Sequence, residues 1–316
     1  MPGAKNSFWE EFWRRSTALD RLTAGYVLAF ALALATFGRA SEAWPMLFLA
    51  HLVIFVLIGC VIWYWHDRRN GFAGFIRNLY PLILYSLFYS ELETADFWVF
   101  STFQDQHLVA FEQSLFGVVP NIWIIPAQSA WANEIMMAGY FSYYFLMPVV
   151  SLLLFFRRRI DELRGMLYAI TAAFVMSYLG FVLFPVEGPR YFLADQFPAP
   201  LAGWLFVPLV RFVIDNGAIH GGCMPSSHVA VALVTLFWAR RSLPRLGAVL
   251  IPVVFVLILG TAWGRFHYVT DIFAGIIVGA AALTLTGFWR EAKLPSHSPA
   301  IVGRNLEANR ALHERA

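Results

Sequence analysis

Residues 265–271, Arg-Phe-His-Tyr-Val-Thr-Asp, form a polar stretch between two long apolar runs. The run before it covers 245–263, and the run that it begins covers 267–289. A helix needs about 20 apolar residues to cross the hydrocarbon core of a bilayer, and both runs are close to that length. The stretch is therefore expected at a membrane surface, where one membrane helix ends and the next begins.

The whole chain has the composition of an integral membrane protein. Of its 316 residues, 59% are hydrophobic and 14% are charged, which is far more apolar than a soluble globular domain. Apolar runs lie at 22–40, 44–65, 78–100, 134–156, 164–185, 226–242, 245–263 and 267–289. The sequence predicts an all-α fold, a polytopic membrane bundle of about eight transmembrane helices, with residues 22–289 as one membrane domain.

Basic residues orient the predicted helices, because cytoplasmic loops carry an excess of arginine and lysine. They lie before the first run and after the second, fourth, sixth and eighth runs, whereas none occurs from Asn78 to Phe156. These residues are Lys5, Arg14, Arg15, Arg21, Arg68, Arg69, Arg77, Arg157, Arg158, Arg159, Arg164, Arg240, Arg241, Arg245, Arg290 and Lys293. Both termini are expected to face the cytoplasm. The net charge of +3 reflects this loop bias, so nucleic acid is not predicted as a partner.

The two ends of the chain are predicted to lie outside the bundle. Residues 1–21 carry aromatic residues at a helical spacing among charges, which is typical of a helix in the headgroup region. These are Phe8, Trp9, Phe12 and Trp13. A cleavable signal peptide is the alternative, since Ala-Leu-Ala triplets end the first apolar run. Residues 290–316 are polar and of mixed charge, and a cytoplasmic tail is expected there.

Two further polar segments accompany 265–271: Gly-Pro-Arg-Tyr at 188–191 and Pro-Ser-Ser-His at 225–228. The predicted topology places all three at the extracytoplasmic face of the membrane. The apolar run 201–213 between them is too short to cross. It is expected to lie flat or to dip back over the site.

His267 and Asp271 are four residues apart, so they share one face of a helix. The carboxylate can accept the imidazole N–H and fix its tautomer, which leaves the other ring nitrogen free to attack an electrophile. For an isolated pair of this spacing, a histidine capped by a neighbouring carboxylate is the more common explanation. The pair therefore needs support from the other two segments.

The segment 225–228 has the residues of a helix N-terminus that binds phosphate. A proline at the helix start leaves the following amides unpaired at the positive end of the helix dipole. Ser226 and Ser227 add hydroxyl donors, and His228 is placed to give a proton to a leaving oxygen. A simple capping pair with an interfacial histidine is the alternative.

Arg190 and Arg265 are expected to bind phosphate as well. The planar fork of a guanidinium matches the oxygens of a phosphoryl group, and arginines on the outer face run against the charge bias of the chain. Interfacial snorkelling of these side chains is the alternative. The three segments together predict phosphoryl transfer, with no metal site and no cofactor. Cys60 and Cys223 have neither a metal-ligand spacing nor an obvious disulfide partner.

The three segments resemble the signature blocks of the type 2 phosphatidic acid phosphatase superfamily, which are an arginine-containing block, Pro-Ser-Gly-His, and a block that ends in His-x-x-x-Asp. Gly-Pro-Arg at 188–190, Cys-Met-Pro-Ser-Ser-His at 223–228 and His-Tyr-x-x-Asp at 267–271 are similar to the branch related to inositol phosphorylceramide synthases. Phe-Ser-Tyr-Tyr at 141–144 and Leu-Phe-Gly at 115–117 also resemble this branch.

The chain also departs from the family pattern. Leu183 stands where the first block has a lysine, Ser227 replaces the glycine, and Thr261 stands where the third block has an arginine. Arg265 is expected to substitute for that arginine.

The resemblance implies that the membrane domain is catalytic, with His267 as nucleophile, His228 as proton donor and Asp271 as the residue that orients His267. It implies a phosphohistidine intermediate and a phospholipid or polyprenyl phosphate as substrate. Water as acceptor gives a phosphatase and a lipid alcohol gives a transferase, and the motif does not choose between them. A vanadate-dependent haloperoxidase-like enzyme and a non-catalytic lipid-binding or transport protein are the alternatives.

An acidic group of residues precedes these segments on the same predicted side. Its members are Glu91, Glu93, Asp96, Asp105 and Glu112. They are expected either to hydrogen-bond the hydroxyls of a sugar or inositol headgroup, or to form a solvated loop.

Overall fold

The computed structural model describes residues 7–287, and within that range the chain contains α-helices, short 3-10 turns and no strand. The α-helices are α1 Phe8–Arg15, α2 Ala18–Phe37, α3 Trp44–Trp65, α4 Gly71–Ser90, α5 Asp105–Phe116, α6 Pro120–Trp123, α7 Ala130–Phe141, α8 Tyr143–Phe156, α9 Ile160–Leu183, α10 Pro189–Phe192, α11 Phe206–Gly217, α12 Ser227–Ser242, α13 Pro244–Trp263 and α14 Val269–Leu285. The prediction of an all-α membrane bundle is confirmed. The tail predicted at 290–316 lies outside the described residues.

Every one of the eight predicted runs overlaps a helix, but the count of eight membrane crossings is not confirmed. In the described part of the chain, five segments are long and apolar enough to cross: α2, α3, the continuous α7 and α8, α9, and α13. A sixth, which the sequence analysis did not predict, arises if the pair Asp105–Phe116 and Pro120–Ala127, bent by 69°, is one span. At 16 and 17 residues, α12 and α14 are shorter than a full crossing.

Helix α9 is the centre of the bundle. It packs against α2, α4, α8, α12 and α14, and its buried residues dominate the largest apolar core cluster. In lipid, apolar helices have no hydrophobic driving force to associate, so their association depends on close van der Waals packing and on hydrogen bonds between helices. A helix that touches five others fixes their relative positions, including those of the two helices that carry the predicted catalytic residues.

Helices α12 and α14 approach each other closely through two glycines. A Cβ atom placed on Gly275 would lie 2.5 Å from the Ser226 carbonyl oxygen, and one on Gly279 would lie 3.1 Å from the Ala230 carbonyl oxygen. The Gly-x-x-x-Gly spacing puts both on one helix face, where small residues let two backbones meet. This contact sets the distance between the N-terminal ends of the two helices.

Helix α1 agrees in position with the predicted interfacial segment, which itself stays a prediction. It is strongly amphipathic and begins with a capping box formed by Ser7 and Glu10. Trp9 and Trp13 are 74% and 65% exposed. Arg15 donates to the carbonyl of Trp63 at 2.8 Å, so α1 contacts the end of α3.

A buried ion pair joins α2 to α4 at the end where arginines are frequent. Arg77 donates to both carboxylate oxygens of Asp20, at 2.8 and 2.6 Å, and the two side chains are 1% and 0% exposed. Tyr80 donates to Asp20 at 2.9 Å, and the Thr17 hydroxyl donates at 2.7 Å. With every oxygen of the carboxylate paired, the two charges are kept inside the bundle.

The Asp20→Ala variant should lower the free energy of unfolding by about 3–5 kcal/mol, because it leaves the Arg77 guanidinium buried without its partner. Thermal unfolding of the purified protein in detergent measures the effect. The matched control is Asp161→Ala, which breaks the exposed 2.6 Å pair with Arg69 and should cost about 1 kcal/mol or less. Equal losses in the two variants would contradict the argument.

Candidate active site

The three polar segments meet. The first contacts the third through the Arg190 amide, which donates to the Arg265 carbonyl, and the second contacts the third through the two predicted catalytic histidines. His267 lies in the connection between α13 and α14, and His228 lies in the first turn of α12. Nε2 of His267 is 3.4 Å from Nδ1 of His228, and the two ring centroids are 5.5 Å apart. His267 is 3% exposed. The predicted pairing of these side chains in space is thus present, while their catalytic roles stay predictions.

Helix α12 begins later than the sequence analysis expected. Ser226 is the N-cap, and its hydroxyl accepts from the Val229 amide at 3.4 Å, so Pro225 lies outside the helix. The Ser226 amide donates to the carbonyl of Asp271 at 3.1 Å, which ties the second polar segment to the third. Ser226 and Ser227 are buried. Since the Ser226 hydroxyl takes the Val229 amide, the amides of Ser227 and His228 are the first-turn donors that this terminus can offer to an anion.

Two tyrosines hold the ring of His228. The Tyr140 hydroxyl lies 3.1 Å from Nε2 of His228, and the two rings are stacked with centroids 5.2 Å apart. The ring of Tyr143 packs on His228 with a centroid distance of 4.3 Å. The sequence analysis noted residues 141–144 as part of a resemblance but assigned them no role. Since Nε2 is occupied by Tyr140, Nδ1 is the nitrogen of His228 that faces His267.

His267 and Asp271 are close, but a third side chain lies between them. Nδ1 of His267 is 3.5 Å from Oδ2 of Asp271, which is longer than an ordinary hydrogen bond. The thiol of Cys223 donates to the same Oδ2 at 2.8 Å, and its sulfur lies 3.5 Å from Nδ1. The sequence indicates no role for Cys223, because its spacing fits neither a metal site nor a disulfide.

The environment of His267 keeps its imidazole neutral. Burial, together with the positive charge of Arg190, lowers the pKa of His267 to about 4, although a contact with the Cys223 carbonyl works in the opposite direction. At neutral pH the ring therefore holds a free lone pair on one nitrogen. A neutral imidazole is the form that can attack an electrophile.

The two predicted phosphate-binding arginines have different surroundings. The Arg190 amide donates to the Arg265 carbonyl at 2.9 Å, and the Arg190 guanidinium lies over the Tyr191 ring at 4.4 Å. Its charge is close enough to affect the pKa of His267. Arg265 instead donates to the Ala199 carbonyl at 2.9 Å and to Gln128 at 3.0 Å. Arg190 thus acts on His267 through its charge, whereas the hydrogen bonds of Arg265 go to residues 128 and 199.

A buried carboxylate, Asp105, joins the first polar segment to the third. It accepts from the amides of Glu187 and Gly188 at 2.8 Å each and from the Tyr268 hydroxyl at 2.9 Å. The residue is 0% exposed. The Asp105 side chain therefore holds the loop that precedes Arg190 close to Tyr268, the residue after His267. The position of Asp105 in the sequence, among other acidic residues, does not predict this role.

The prediction of a solvated acidic loop is wrong for four of the five residues. Glu91, Asp96, Asp105 and Glu112 are at most 5% exposed, and Glu93 is exposed. Glu112 accepts from the amide and the hydroxyl of Thr270 at 2.7 and 3.0 Å. Glu91 lies 3.2 Å from the buried His51. Asp105 and Glu112 thus bind the chain itself, and their hydrogen bonds hold the third polar segment.

The apolar run 201–213 overlaps α11, a short amphipathic helix that begins at Phe206 and packs on α7. Glu134 of α7 accepts from four successive amides, those of residues 204–207, at 2.6 to 3.3 Å. A carboxylate at a helix N-terminus satisfies the amides that lack a partner within the helix. Asn133 donates to the Ala202 carbonyl at 2.9 Å, so the segment is held to α7 at two neighbouring residues.

The chain belongs to the PAP2 superfamily, which matches residues 106–285, more than half of its length. A PA-phosphatase related-family protein of Dictyostelium discoideum is 29% identical over 112 residues, which cover 34% of this chain and 20% of that protein. The aligned part is thus one fifth of that relative's length. No solved structure matches the chain significantly. The family match covers all three polar segments and leaves out α1 to α4.

The Asp105→Asn variant should reduce turnover about 100-fold, the cost of roughly a 1 Å misplacement of catalytic groups. The amide has one carbonyl oxygen in place of two carboxylate oxygens, so at least one of the three donors loses its acceptor. Tyr268→Phe removes a single donor and should have the smaller effect. Steady-state kinetics with a lipid phosphate, together with thermal unfolding, measures both.

The control for this series is Asp195→Asn, a change of the same chemistry at an exposed position. Its turnover should equal that of the unmodified protein. Full activity of a folded Asp105→Asn protein would show that the hydrogen bonds of Asp105 do not position the site.

Proposed function

We propose that this PAP2 superfamily member cleaves or transfers a phosphate-linked lipid headgroup through a phosphohistidine intermediate. The observation that carries the proposal is the 3.4 Å contact between Nε2 of His267 and Nδ1 of His228. A neutral nucleophile and a second imidazole face each other there, and the charge of Arg190 is nearby. Family membership makes a phosphatase-type activity on a lipid phosphate the expected class.

In the first step, Nε2 of His267 attacks phosphorus, so that a P–N bond forms while the P–O bond to the leaving group breaks. His228 enters this step as the imidazolium, gives its Nδ1 proton to the departing oxygen and becomes neutral. In the second step the acceptor, water or an alcohol, returns a proton to His228 as it attacks the phosphohistidine and releases His267. Arg190 and the first-turn amides of α12 stabilise the charge on the equatorial oxygens.

The two imidazoles must move apart to admit the substrate. Their 3.4 Å separation is about the distance between an attacking nitrogen and phosphorus alone in a reactive complex. A phosphoryl group and its leaving oxygen need more room between the two nitrogens.

The substrate class follows from the expected position of the site at the extracytoplasmic membrane face. A phospholipid or polyprenyl phosphate would present its phosphate at that level. In this proposed orientation, both termini of the protein lie in the cytoplasm. The similarity of residues 223–228 to the inositol phosphorylceramide synthase-related branch supports a transferase, whereas the family as a whole supports a hydrolase. Thr261 is buried and donates to the Ile258 carbonyl at 2.7 Å, so this position supplies no cation to the phosphate.

Incubation of the purified full-length protein with labelled phospholipids and candidate alcohols tests the proposal. Free phosphate indicates hydrolysis, and a new phosphodiester indicates transfer. An acid-labile phosphoprotein should be trapped during turnover, because a P–N bond is labile in acid. Bromide oxidation that depends on added vanadate would support a haloperoxidase instead. Lipid binding without turnover of any substrate would support the non-catalytic alternative.

The His267→Ala variant should lose about 10⁴-fold or more of its turnover, since it lacks the attacking nitrogen. His228→Ala should lose about 10²–10⁴-fold, the usual contribution of a general acid. Initial rates on the same lipid measure both. The control is His107→Ala, which removes an exposed imidazole of α5 and should leave the rate unchanged. Undiminished turnover of His267→Ala would reject this nucleophile.

Turnover should persist in the presence of EDTA, because no step of the proposed mechanism passes through a metal. The experiment is needed because Cys223, His267 and Asp271 offer ligand atoms that all lie within 4.8 Å of one another. The metal content of the same preparation should be measured by mass spectrometry. Complete loss of activity with the chelator, and recovery with one added divalent ion, would contradict the mechanism.

A further inference from the structure

The thiol of Cys223 occupies the position between the predicted nucleophile and its carboxylate. Its sulfur is 2.8 Å from Oδ2 of Asp271 and 3.5 Å from Nδ1 of His267, and it also lies 3.3 Å from the Phe266 carbonyl oxygen. The direct distance from Nδ1 to Oδ2 is 3.5 Å. This is longer than the 2.7–3.2 Å of an ordinary N–H···O hydrogen bond, whereas the 3.5 Å between the sulfur and Nδ1 is within the longer reach of a hydrogen bond to sulfur.

The thiol is held in the protonated form. Burial raises the pKa of Cys223 well above its ordinary value, and the negative charges of Asp271 and Asp105 raise it further. Cys223 is 4% exposed. A neutral S–H can donate its only proton to Asp271 and offer a sulfur lone pair to an N–H at Nδ1 of His267. It therefore favours the tautomer in which Nε2, the nitrogen facing His228, is unprotonated.

The same side chain contacts the first polar segment. A Cβ atom on Gly188 would lie 3.3 Å from the sulfur. Gly188 has a φ of 100°, a backbone angle that residues with a side chain rarely adopt. The backbone before Arg190 therefore packs directly on the thiol. Sulfur is large and polarisable, so it can fill this junction and form weak hydrogen bonds at the same time.

We propose that Cys223 is a positioning residue that couples Asp271 to the nucleophile His267 through its thiol. The inference rests on the proposed function and adds one residue to it. When Nε2 attacks phosphorus, positive charge develops on the imidazole, and the chain Nδ1–H···S–H···Oδ2 links that charge to the carboxylate. No proton has to leave the thiol, so the steps that form and break the P–N bond remain balanced as written above.

The Cys223→Ser and Cys223→Ala variants separate this role from simple packing. Serine keeps a donor and an acceptor at the bridging position, whereas alanine removes both. We expect kcat of Cys223→Ala to fall at least about tenfold with little change of KM, the size expected when a hydrogen bond to a charged group is lost. Cys223→Ser should recover most of that loss. Cys60→Ala, at an exposed cysteine of α3, should match the unmodified protein.

Affinity for orthovanadate provides a readout that does not need turnover. Vanadate imitates pentacoordinate phosphorus and reports on the nucleophile directly. Its dissociation constant, measured by calorimetry with the full-length protein, should rise about tenfold or more in Cys223→Ala and recover in Cys223→Ser. Absence of turnover in the unmodified protein would reject the proposed function, while this series would still test the position of His267.

Two results would overturn the inference. In the first, Cys223→Ala has the kcat and the vanadate affinity of the unmodified protein. In the second, the serine and alanine variants lose activity and thermal stability to the same degree, which would assign the thiol to packing alone. Recovery in the serine variant of both kcat and vanadate affinity supports the bridging role.

Discussion

The buried carboxylate of Asp105 is the contact on which the geometry of the site depends. It accepts hydrogen bonds from the loop that precedes Arg190 and from Tyr268, the residue after His267. A charge with 0% exposure is tolerated in an apolar bundle only if its oxygens are paired. Asp105 and its partners therefore require each other: the carboxylate needs the donors, and the loops need the carboxylate to stay together.

The same logic extends across the other loops of the site. Glu112 binds Thr270, Glu134 binds the amides of residues 204–207, and the Ser226 amide binds the Asp271 carbonyl. Each of these loops carries backbone groups that cannot be left unpaired away from water. The side chains of Glu112 and Glu134 supply the acceptors in the first two cases, and the backbone carbonyl of Asp271 supplies it in the third. These hydrogen bonds hold the irregular segments of the site in place, which is what catalysis by positioning demands.

The packing of the helices sets the distance between the two imidazoles. Gly275 and Gly279 let α14 approach α12, and α9 packs against both. His228 begins α12 and His267 precedes α14, so the helix separation sets how far apart the two imidazoles can lie. Within that limit, aromatic rings and the thiol of Cys223 select the orientation of each ring. Helix packing thus fixes the separation of the two imidazoles, and local contacts fix which nitrogen faces the other.

The sequence by itself determined that the chain is a helical membrane protein, and it predicted that residues 190, 228, 267 and 271 lie at one membrane face. Apolar length, charge bias and spacing along one helix carry that information, because each depends only on residues close together in the chain. The tertiary structure alone decided that Asp105 and Glu112 are buried, that Cys223 lies between His267 and Asp271, and that Arg265 binds Ala199. These contacts join residues 44 to 163 positions apart, with Arg265 and Ala199 at 66. Such contacts depend on how whole helices pack against one another. The pattern of residues within one short segment does not contain that information.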